Sequence, residues 1–174
     1  MRIILAEVEL PCRDASFLKT TLSGAFKAEV VLLKRPLPAD YEHFTEPRGQ
    51  WDAEKLLEWL SGLFAKERGT FVIGLFPYDM FAGRRKQVFG VAENVGRTAI
   101  VSYHAFDPAM QGRHDDELFR RRLYKKVVHQ LGHLMGIPHC SNRNCVMNQA
   151  RNLMFLDRKT AEFCRKCRPL VSIG

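Results

Sequence analysis

The chain has 174 residues, of which 46% are hydrophobic and 26% charged, and this composition suits one soluble globular domain with its own core. The formal net charge is +8, which favours anionic partners but does not by itself indicate a function. The sequence has no run of about 18 apolar residues and therefore predicts no transmembrane helix.

The first third of the chain predicts a strand, a helix and a second strand. Residues 2–10 alternate between apolar and polar side chains, which is typical of a strand rather than a signal peptide, and we therefore expect a cytoplasmic protein. Asp14 is a candidate N-cap for a helix whose apolar face carries Phe17, Leu18 and Leu22. Residues 28–34 predict a buried strand, and the proline-rich segment after them predicts a loop of roughly fifteen residues.

The middle of the chain predicts a second helix followed by three strands. Asp52 can cap this helix, and its apolar stripe has helical spacing and consists of Ala53, Leu56, Leu57, Leu60, Leu63 and Phe64. Residues 70–76, 88–93 and 98–104 predict the three strands, the last two joined by the short turn N-V-G-R. Strands interspersed with helices indicate a single layered α/β fold.

A third helix is predicted to begin near Asp115 or Asp116. Its apolar side chains repeat every three or four residues and form a core stripe of Phe119, Leu123, Val127, Leu131 and Leu134. His129 and His133 lie off this stripe, on another face of the helix. The basic run R-R-R-L-Y-K-K at 120–126 is typical of the solvated face of an amphipathic helix.

The stretch H-Q-L-G-H-L-M-G-I-P-H-C, which begins at His129, has the spacing of a metal site. His129 and His133 are one helical turn apart, about 6 Å along the axis, and can bind a single Zn²⁺. Gly136 can adopt the left-handed conformation that ends a helix, and Pro138 prevents the helix from continuing. The chain can then turn back and bring His139 to the same metal. Three histidines leave one coordination position open, as in catalytic zinc sites.

Four of the five cysteines fall in the last 35 residues: Cys140, Cys145, Cys164 and Cys167. Four residues separate Cys140 from Cys145 and two separate Cys164 from Cys167, spacings that are typical of a structural zinc site. An odd number of cysteines fits a disulfide framework poorly. Because Cys140 directly follows His139, a zinc ion bound by the cysteines would also fix the backbone of the third histidine. We therefore predict that Cys145→Ser loosens both metals. Cys12 stands alone and is expected to be a small buried residue.

The histidine run resembles the signature of the metzincin zinc proteases, which precedes a Met-turn, and the four cysteines narrow the resemblance to the archaemetzincins. This resemblance implies a metzincin-like mixed sheet packed with helices, an active-site helix and a small zinc-stabilised C-terminal subdomain. The chain would form one catalytic domain, 1–174, divided into an upper subdomain, 1–136, and a C-terminal part, 137–174. Its activity would be zinc-dependent hydrolysis of peptide bonds in a peptide or protein substrate.

The resemblance also implies roles for particular residues. Two zinc ions would be bound, a catalytic one by His129, His133 and His139 and a structural one by Cys140, Cys145, Cys164 and Cys167. Met147 would be the Met-turn residue beneath the catalytic zinc, with Met154 as a weaker candidate. An antiparallel edge strand, predicted at residues 88–93, would bind the substrate as an extended peptide.

Gln130 departs from the metzincin pattern, because that position carries a glutamate that accepts a proton from the attacking water and passes it to the leaving amine. A glutamine can accept a hydrogen bond but not a proton, and the loss of a general base costs about 10²–10⁴ in rate. We therefore expect weak or absent hydrolysis. A substitute carboxylate from the loop at Asp40, Glu42 and Glu46 is one alternative. Whether Gln130 is native or a deliberate replacement stays open.

Two other functions are compatible with the same residues. A non-catalytic zinc protein could use the cleft to bind extended peptides without turnover. A basic zinc protein that binds nucleic acid is motivated by the cysteines, the net charge of +8 and the run at 120–126. That third hypothesis is the weakest, since no recognised nucleic-acid motif accompanies the basic run. No membrane partner is expected.

Overall fold

The computed structural model describes residues 1–39, 41–67, 69–93, 96–108, 112 and 115–171. The main elements, in chain order, are β1 (Arg2–Glu7), α1 (Ala15–Phe26), β2 (Glu29–Leu32), β3 (Phe44–Thr45), β4 (Gln50–Asp52), α2 (Ala53–Leu63), β5 (Thr70–Phe76), β6 (Met80–Phe81), β7 (Gly90–Ala92), β8 (Thr98–Ser102), α3 (Asp116–Leu134) and α4 (Leu153–Arg158). The predicted class, a mixed α/β fold, is confirmed. Within the described ranges, no helix is long and apolar enough to cross a membrane.

A five-stranded sheet with the order β2-β1-β5-β8-β7 forms the centre of the fold. Its first four strands are parallel, and β7 pairs antiparallel with β8 at one edge. Alternate side chains of β1 enter two separate cores: Ile3 and Leu5 pack with helices α1 and α3, whereas Ile4 and Ala6 pack with α2. Strands covered on both faces need apolar side chains at nearly every position, as the buried pattern of β1 shows.

The first helix forms where it was predicted, but two details of that prediction are wrong. Asp14 occupies the N-cap position without a side-chain capping bond, since its carboxylate instead accepts a hydrogen bond of 2.7 Å from Arg120 Nε. Phe17 is 41% exposed, while Ala15, Leu18 and Leu22 form the buried face. Arg120 on α3 therefore determines which group the Asp14 carboxylate binds. No local sequence pattern reveals this partner.

The predicted loop after the second strand contains part of a second, smaller sheet. Strand β3 pairs antiparallel with β4, and β4 pairs parallel with β6. These strands have only two or three residues each, too few for an alternating pattern to be recognised. Asp52 caps α2 as predicted, since its Oδ1 accepts hydrogen bonds from the Glu54 and Lys55 amides. Leu63, assigned to the buried stripe of α2, is 55% exposed.

Helix α3 begins at Asp116, and Asp115 caps it by accepting a 2.9 Å hydrogen bond from the Leu118 amide. Every residue of the predicted core stripe is buried, which confirms that assignment: Phe119, Leu123, Val127, Leu131 and Leu134. The prediction of a solvated basic face is wrong for three members of the 120–126 run.

Arg122, Lys125 and Lys126 are each less than 10% exposed. The segment around α4 covers Arg122 and Lys125 and supplies their partners, whereas Lys126 lies beside Gly90 of β7. Arg122 donates two hydrogen bonds to the Asp157 carboxylate, at 2.8 and 2.7 Å, and Lys125 Nζ donates to the Leu156 and Asp157 carbonyls. The sequence pattern around a buried, paired arginine is the same as that around a solvated one, so the sequence could not distinguish them.

Candidate metal centres

Three histidine side chains converge where helix α3 ends. Gly136 has a positive φ of 81°, and its amide donates to the His133 carbonyl, while the Ile137 amide donates to the Gly132 carbonyl. These bonds close the helix as the sequence predicts and turn the chain so that His139 returns to the preceding turn. His133 Nε2 then lies 3.1 Å from His129 Nε2 and 3.2 Å from His139 Nε2.

The donor atoms of this cluster fit one zinc ion. Nδ1 of His129 lies 2.8 Å from the Val146 carbonyl oxygen, and Nδ1 of His133 lies 3.0 Å from that of Ile137. Because a carbonyl only accepts, both Nδ1 atoms carry the proton, and both Nε2 atoms present lone pairs to each other. Two tetrahedral zinc ligands lie about 3.3 Å apart. The observed separations match this spacing, and a cation is needed to relieve the repulsion of the lone pairs.

The surroundings keep the imidazoles neutral. Burial lowers the pKa of His129 well below its ordinary value, and the positive charges of Lys126 and Lys159 lower it further. Burial also lowers the pKa of His133, to about 4, and that of His139. Neutral imidazole is the form that binds a metal, so these side chains need no proton release at neutral pH.

The four cysteine sulfur atoms form a second cluster and all lie within 4.8 Å of one another: Cys140, Cys145, Cys164 and Cys167. The Sγ atoms of Cys140 and Cys164 are 3.8 Å apart, which is about the separation of two thiolates on one tetrahedral zinc. A backbone N–H of Cys167 lowers the pKa of the Cys164 thiol to about 6, and the Asn142 amide donates to Cys140 Sγ. The cluster therefore has the composition and spacing of a closed zinc site.

The segment between the two clusters connects them directly. Val146, next to Cys145, offers its carbonyl oxygen to His129 Nδ1 and, at 2.7 Å, to Lys159 Nζ. Met147 is fully buried beneath α3, and its carbonyl accepts a hydrogen bond from the Cys140 amide. A Cβ atom at position 132 would lie 2.3 Å from Met147 Sδ, so any larger residue there would displace the Met147 side chain. Met154, the weaker candidate for the residue under the histidines, is 49% exposed.

The histidines open into a cleft of about 850 Å³ that runs along strand β7. This strand is the antiparallel edge strand that the sequence predicts at residues 88–93, although the paired part is limited to Gly90–Ala92. In the described part of the chain, no strand pairs with its outer side. An exposed strand edge offers backbone N–H and C=O groups to an extended peptide.

Gln130 is buried at the base of this cleft, beneath strands β7 and β8. Its Nε2 donates to the Ile100 carbonyl at 3.3 Å, a bond that a carboxylate could not make. Gly90 provides the room, since a Cβ atom there would lie 2.7 Å from Nε2. The fold therefore accommodates the Gln130 amide through the carbonyl of Ile100, which accepts its hydrogen bond, and through Gly90, which lacks a side chain.

Of the three alternative carboxylates, the two that the structure describes do not line the cleft. The lining residues include neither Glu42 nor Glu46, which lie in the segment that leads into and out of β3. Asp40 lies outside the described residues. The loop 40–46 therefore supplies no described substitute for the glutamate of the metzincin pattern.

Two lysines near the histidines are missing from the sequence-based site. Lys159 is 2% exposed and donates to the Val146 and Asn148 carbonyls, while burial lowers its pKa to about 8. Nothing local in the sequence distinguishes it, because its partners are fixed by the tertiary fold. Lys126 lines the cleft, and burial lowers its pKa to about 7. Its position one helical turn before Gln130 is the signal that could have identified it.

Comparisons with known proteins agree on one family. The family model of Peptidase family M54 matches residues 29–172. The archaemetzincin of Methanopyrus kandleri is 37% identical over 147 residues, which cover 84% of this chain and 79% of that protein.

Two solved structures have the same fold. The crystal structure of the archaemetzincin from Archaeoglobus fulgidus, complexed with malonate, has a TM-score of 0.86 at 29% identity and covers 98% of this chain and 100% of that one. The zinc-dependent peptidase from Methanocorpusculum labreanum has a TM-score of 0.88 at 28% identity, with coverage of 99% and 100%.

Proposed function

The chain belongs to Peptidase family M54, the family of the archaemetzincins, and on that premise we propose which of its residues carry the chemistry. The protein is a zinc metallopeptidase that acts on peptide bonds. His129, His133 and His139 bind the catalytic zinc, with Met147 packed beneath them. The observation that carries this assignment is the pair of Nε2 separations, 3.1 and 3.2 Å, between imidazoles whose other nitrogens are held by carbonyls.

We also propose a second, structural zinc ion bound by Cys140, Cys145, Cys164 and Cys167. Its support is the 3.8 Å separation of two of the four sulfur atoms, and the burial of Cys145 and Cys167. Four thiolates leave no open coordination position, so this zinc fixes the backbone and takes no part in hydrolysis. Metal analysis of the purified protein is expected to give two zinc ions per chain.

The chemistry at the first site combines the metal with the surrounding residues. A catalytic zinc supplies Lewis-acid activation of water and of the substrate carbonyl. Strand β7 binds the substrate backbone in extended form along its free edge, which positions one peptide bond over the histidines. Gln130 lies at the base of the same cleft and accepts or donates hydrogen bonds, but it moves no proton.

Because Gln130 replaces the general base, turnover by this sequence is weak or absent. The Gln130→Glu variant restores a proton acceptor, and its rate of zinc-dependent cleavage of a mixed peptide library should rise by about 10²–10⁴. The Ile100 carbonyl cannot bond to a carboxylate, so the new side chain is free to turn towards the histidines.

The matched control for this experiment is Gln149→Glu, which adds the same charge to another glutamine that lines the cleft. It should leave cleavage at the level of the unaltered protein. Folded, zinc-loaded Gln130→Glu that shows no gain on any peptide contradicts the assignment of position 130.

A second function, peptide binding without turnover, is favoured by one specific observation. The Gln130 amide is held by a hydrogen bond that only a donor can make, so the cleft is built around a side chain that is not a base. In this case the zinc-loaded protein binds peptides saturably and leaves them intact, and chelation of zinc abolishes binding. Rapid cleavage by the unaltered protein argues against this function.

A further inference from the structure

We propose that Lys126 is a specificity-determining residue that binds a carboxylate of the substrate inside the cleft. This inference rests on the proposed function, since it names the kind of peptide that the histidine cleft accepts. Two groups of a peptide can supply this carboxylate: an acidic side chain or the C-terminus.

Geometry places Lys126 inside the substrate cleft. Its side chain leaves helix α3 one turn before Gln130 and passes beneath strand β7, where its Cε lies 3.1 Å from the position of a Cβ at Gly90. The side chain lines the cleft together with the three histidines and is only 9% exposed. A substrate that extends along β7 therefore passes directly over this ammonium group.

The charge of Lys126 is uncompensated. In the parts of the chain that the structure describes, its ammonium makes no hydrogen bond and no ion pair, in contrast to Lys125 and Lys159, which donate to carbonyls. Burial destabilises the ammonium most, and the positive charges of Lys159 and Arg85 destabilise it further. An anion in the cleft would stabilise the charged form of this side chain, and the peptide is the group that enters the cleft.

Glu93, an acidic residue that lines the cleft, does not pair with Lys126. The carboxylate of Glu93 accepts hydrogen bonds from Ser61 Oγ and from the Arg97 and Thr98 amides, and thereby closes the turn between β7 and β8. The exposed side chains of Arg85 and Arg151 add further positive charge at the rim. The cleft as a whole therefore favours a negatively charged peptide over a neutral or basic one.

The test measures binding rather than cleavage, by fluorescence anisotropy of dye-labelled peptides on the zinc-loaded protein. One set carries a single glutamate, moved along the peptide, with an amidated C-terminus. A second set has glutamine in place of glutamate and a free C-terminal carboxylate, and a third set is neutral at both places. We expect one of the first two sets to bind about 10- to 100-fold more tightly than the neutral set.

Two variants identify the group responsible. Lys126→Met keeps most of the length of the side chain and removes its charge, so it should lose most of the preference and retain only the weak share that the exposed Arg85 and Arg151 contribute. Lys126→Arg retains the charge and should retain the preference. Lys66→Met, which removes an exposed lysine after helix α2, is the matched control and should leave the preference intact.

The comparison of the peptide sets on the unaltered protein remains decisive if Lys126→Met does not fold. A preference for the first set identifies an acidic side chain as the ligand, and a preference for the second identifies the C-terminal carboxylate. Equal affinity for all sets on the unaltered protein, or a preference that survives undiminished in Lys126→Met, overturns the assignment. Peptide cleavage by Gln130→Glu without an acidic preference overturns it as well, while the proposed peptidase function stands.

Discussion

The two proposed zinc sites share one segment of backbone, so damage to the cysteine site should weaken zinc binding at the histidine site. Cys145→Ser removes one of four thiolates, and Val146 is the next residue in the chain. The Val146 carbonyl oxygen lies 2.8 Å from His129 Nδ1 and fixes the orientation of that imidazole. Loss of the proposed cysteine-bound zinc would therefore release a hydrogen bond that orients His129, a proposed ligand of the catalytic zinc.

The expected size of this effect follows from what remains after the zinc is lost. Lys159 Nζ still donates to the Val146 and Asn148 carbonyls, at 2.7 and 2.8 Å, and Met147 stays buried under α3. The segment is therefore loosened rather than lost. Removal of the partner that orients a metal-bound histidine costs about 10- to 100-fold in metal affinity, which is about 1.4–2.7 kcal/mol.

The assay must distinguish the two metals. Zinc content is measured by mass spectrometry, and the affinity of the histidine site by competition with a chelator. Cobalt substitution then separates the sites, because only the cysteine cluster gives thiolate-to-metal charge-transfer bands. Cys12→Ser, which alters a buried cysteine at the other end of the chain, is the control and should leave both affinities unchanged. An affinity of the histidine site in Cys145→Ser within twofold of the control refutes the coupling.

Two further predictions concern the packing of α3. Gly132→Ala forces a Cβ atom to within 2.3 Å of the fully buried Met147 Sδ and should lower the free energy of unfolding by about 1–3 kcal/mol in urea denaturation. The same change at the exposed Gly24 of α1, where nothing lies within 4 Å, should stabilise the protein by up to about 1 kcal/mol, and a loss of stability there would argue against the packing explanation. Asp157→Asn removes the carboxylate from the buried Arg122 and should cost about 3 kcal/mol. Glu117→Gln, which breaks only an exposed pair with Arg121, should change stability by less than about 0.5 kcal/mol, and equal losses in both variants would contradict the role of burial.

The features that the sequence predicted correctly are local ones. The stripe from Phe119 to Leu134, the cap at Asp115 and the helix end at Gly136 each depend on residues within a few turns of one another. The convergence of the histidine side chains is also local in part, since helical spacing alone places His129 and His133 on one face. These assignments needed no knowledge of which elements pack together.

The features that were missed depend on contacts between distant segments. Lys125 and Arg122 have the same spacing as solvated residues, and only the docking of α4 on α3 shows that they are buried and paired. Lys159 donates to the Val146 carbonyl, which also contacts His129, although Lys159 and His129 are 30 residues apart in the chain. The small sheet of β3, β4 and β6 also depends on such contacts, because each strand is too short to have a period.

Gln130 depends on both the local sequence pattern and contacts between distant segments, so its role cannot be interpreted from its identity alone. Its place next to His129 makes it the proposed position of the missing base, but its hydrogen bonding and packing are set by Ile100 and Gly90, which only the fold brings near. The Ile100 carbonyl holds an amide and repels a carboxylate, and Gly90 leaves space for either. Glutamine is thus held against the sheet, whereas we expect a glutamate of the same size to lose that bond and turn towards the histidines. We therefore expect glutamine and glutamate at position 130 to differ both in proton affinity and in the direction of the side chain.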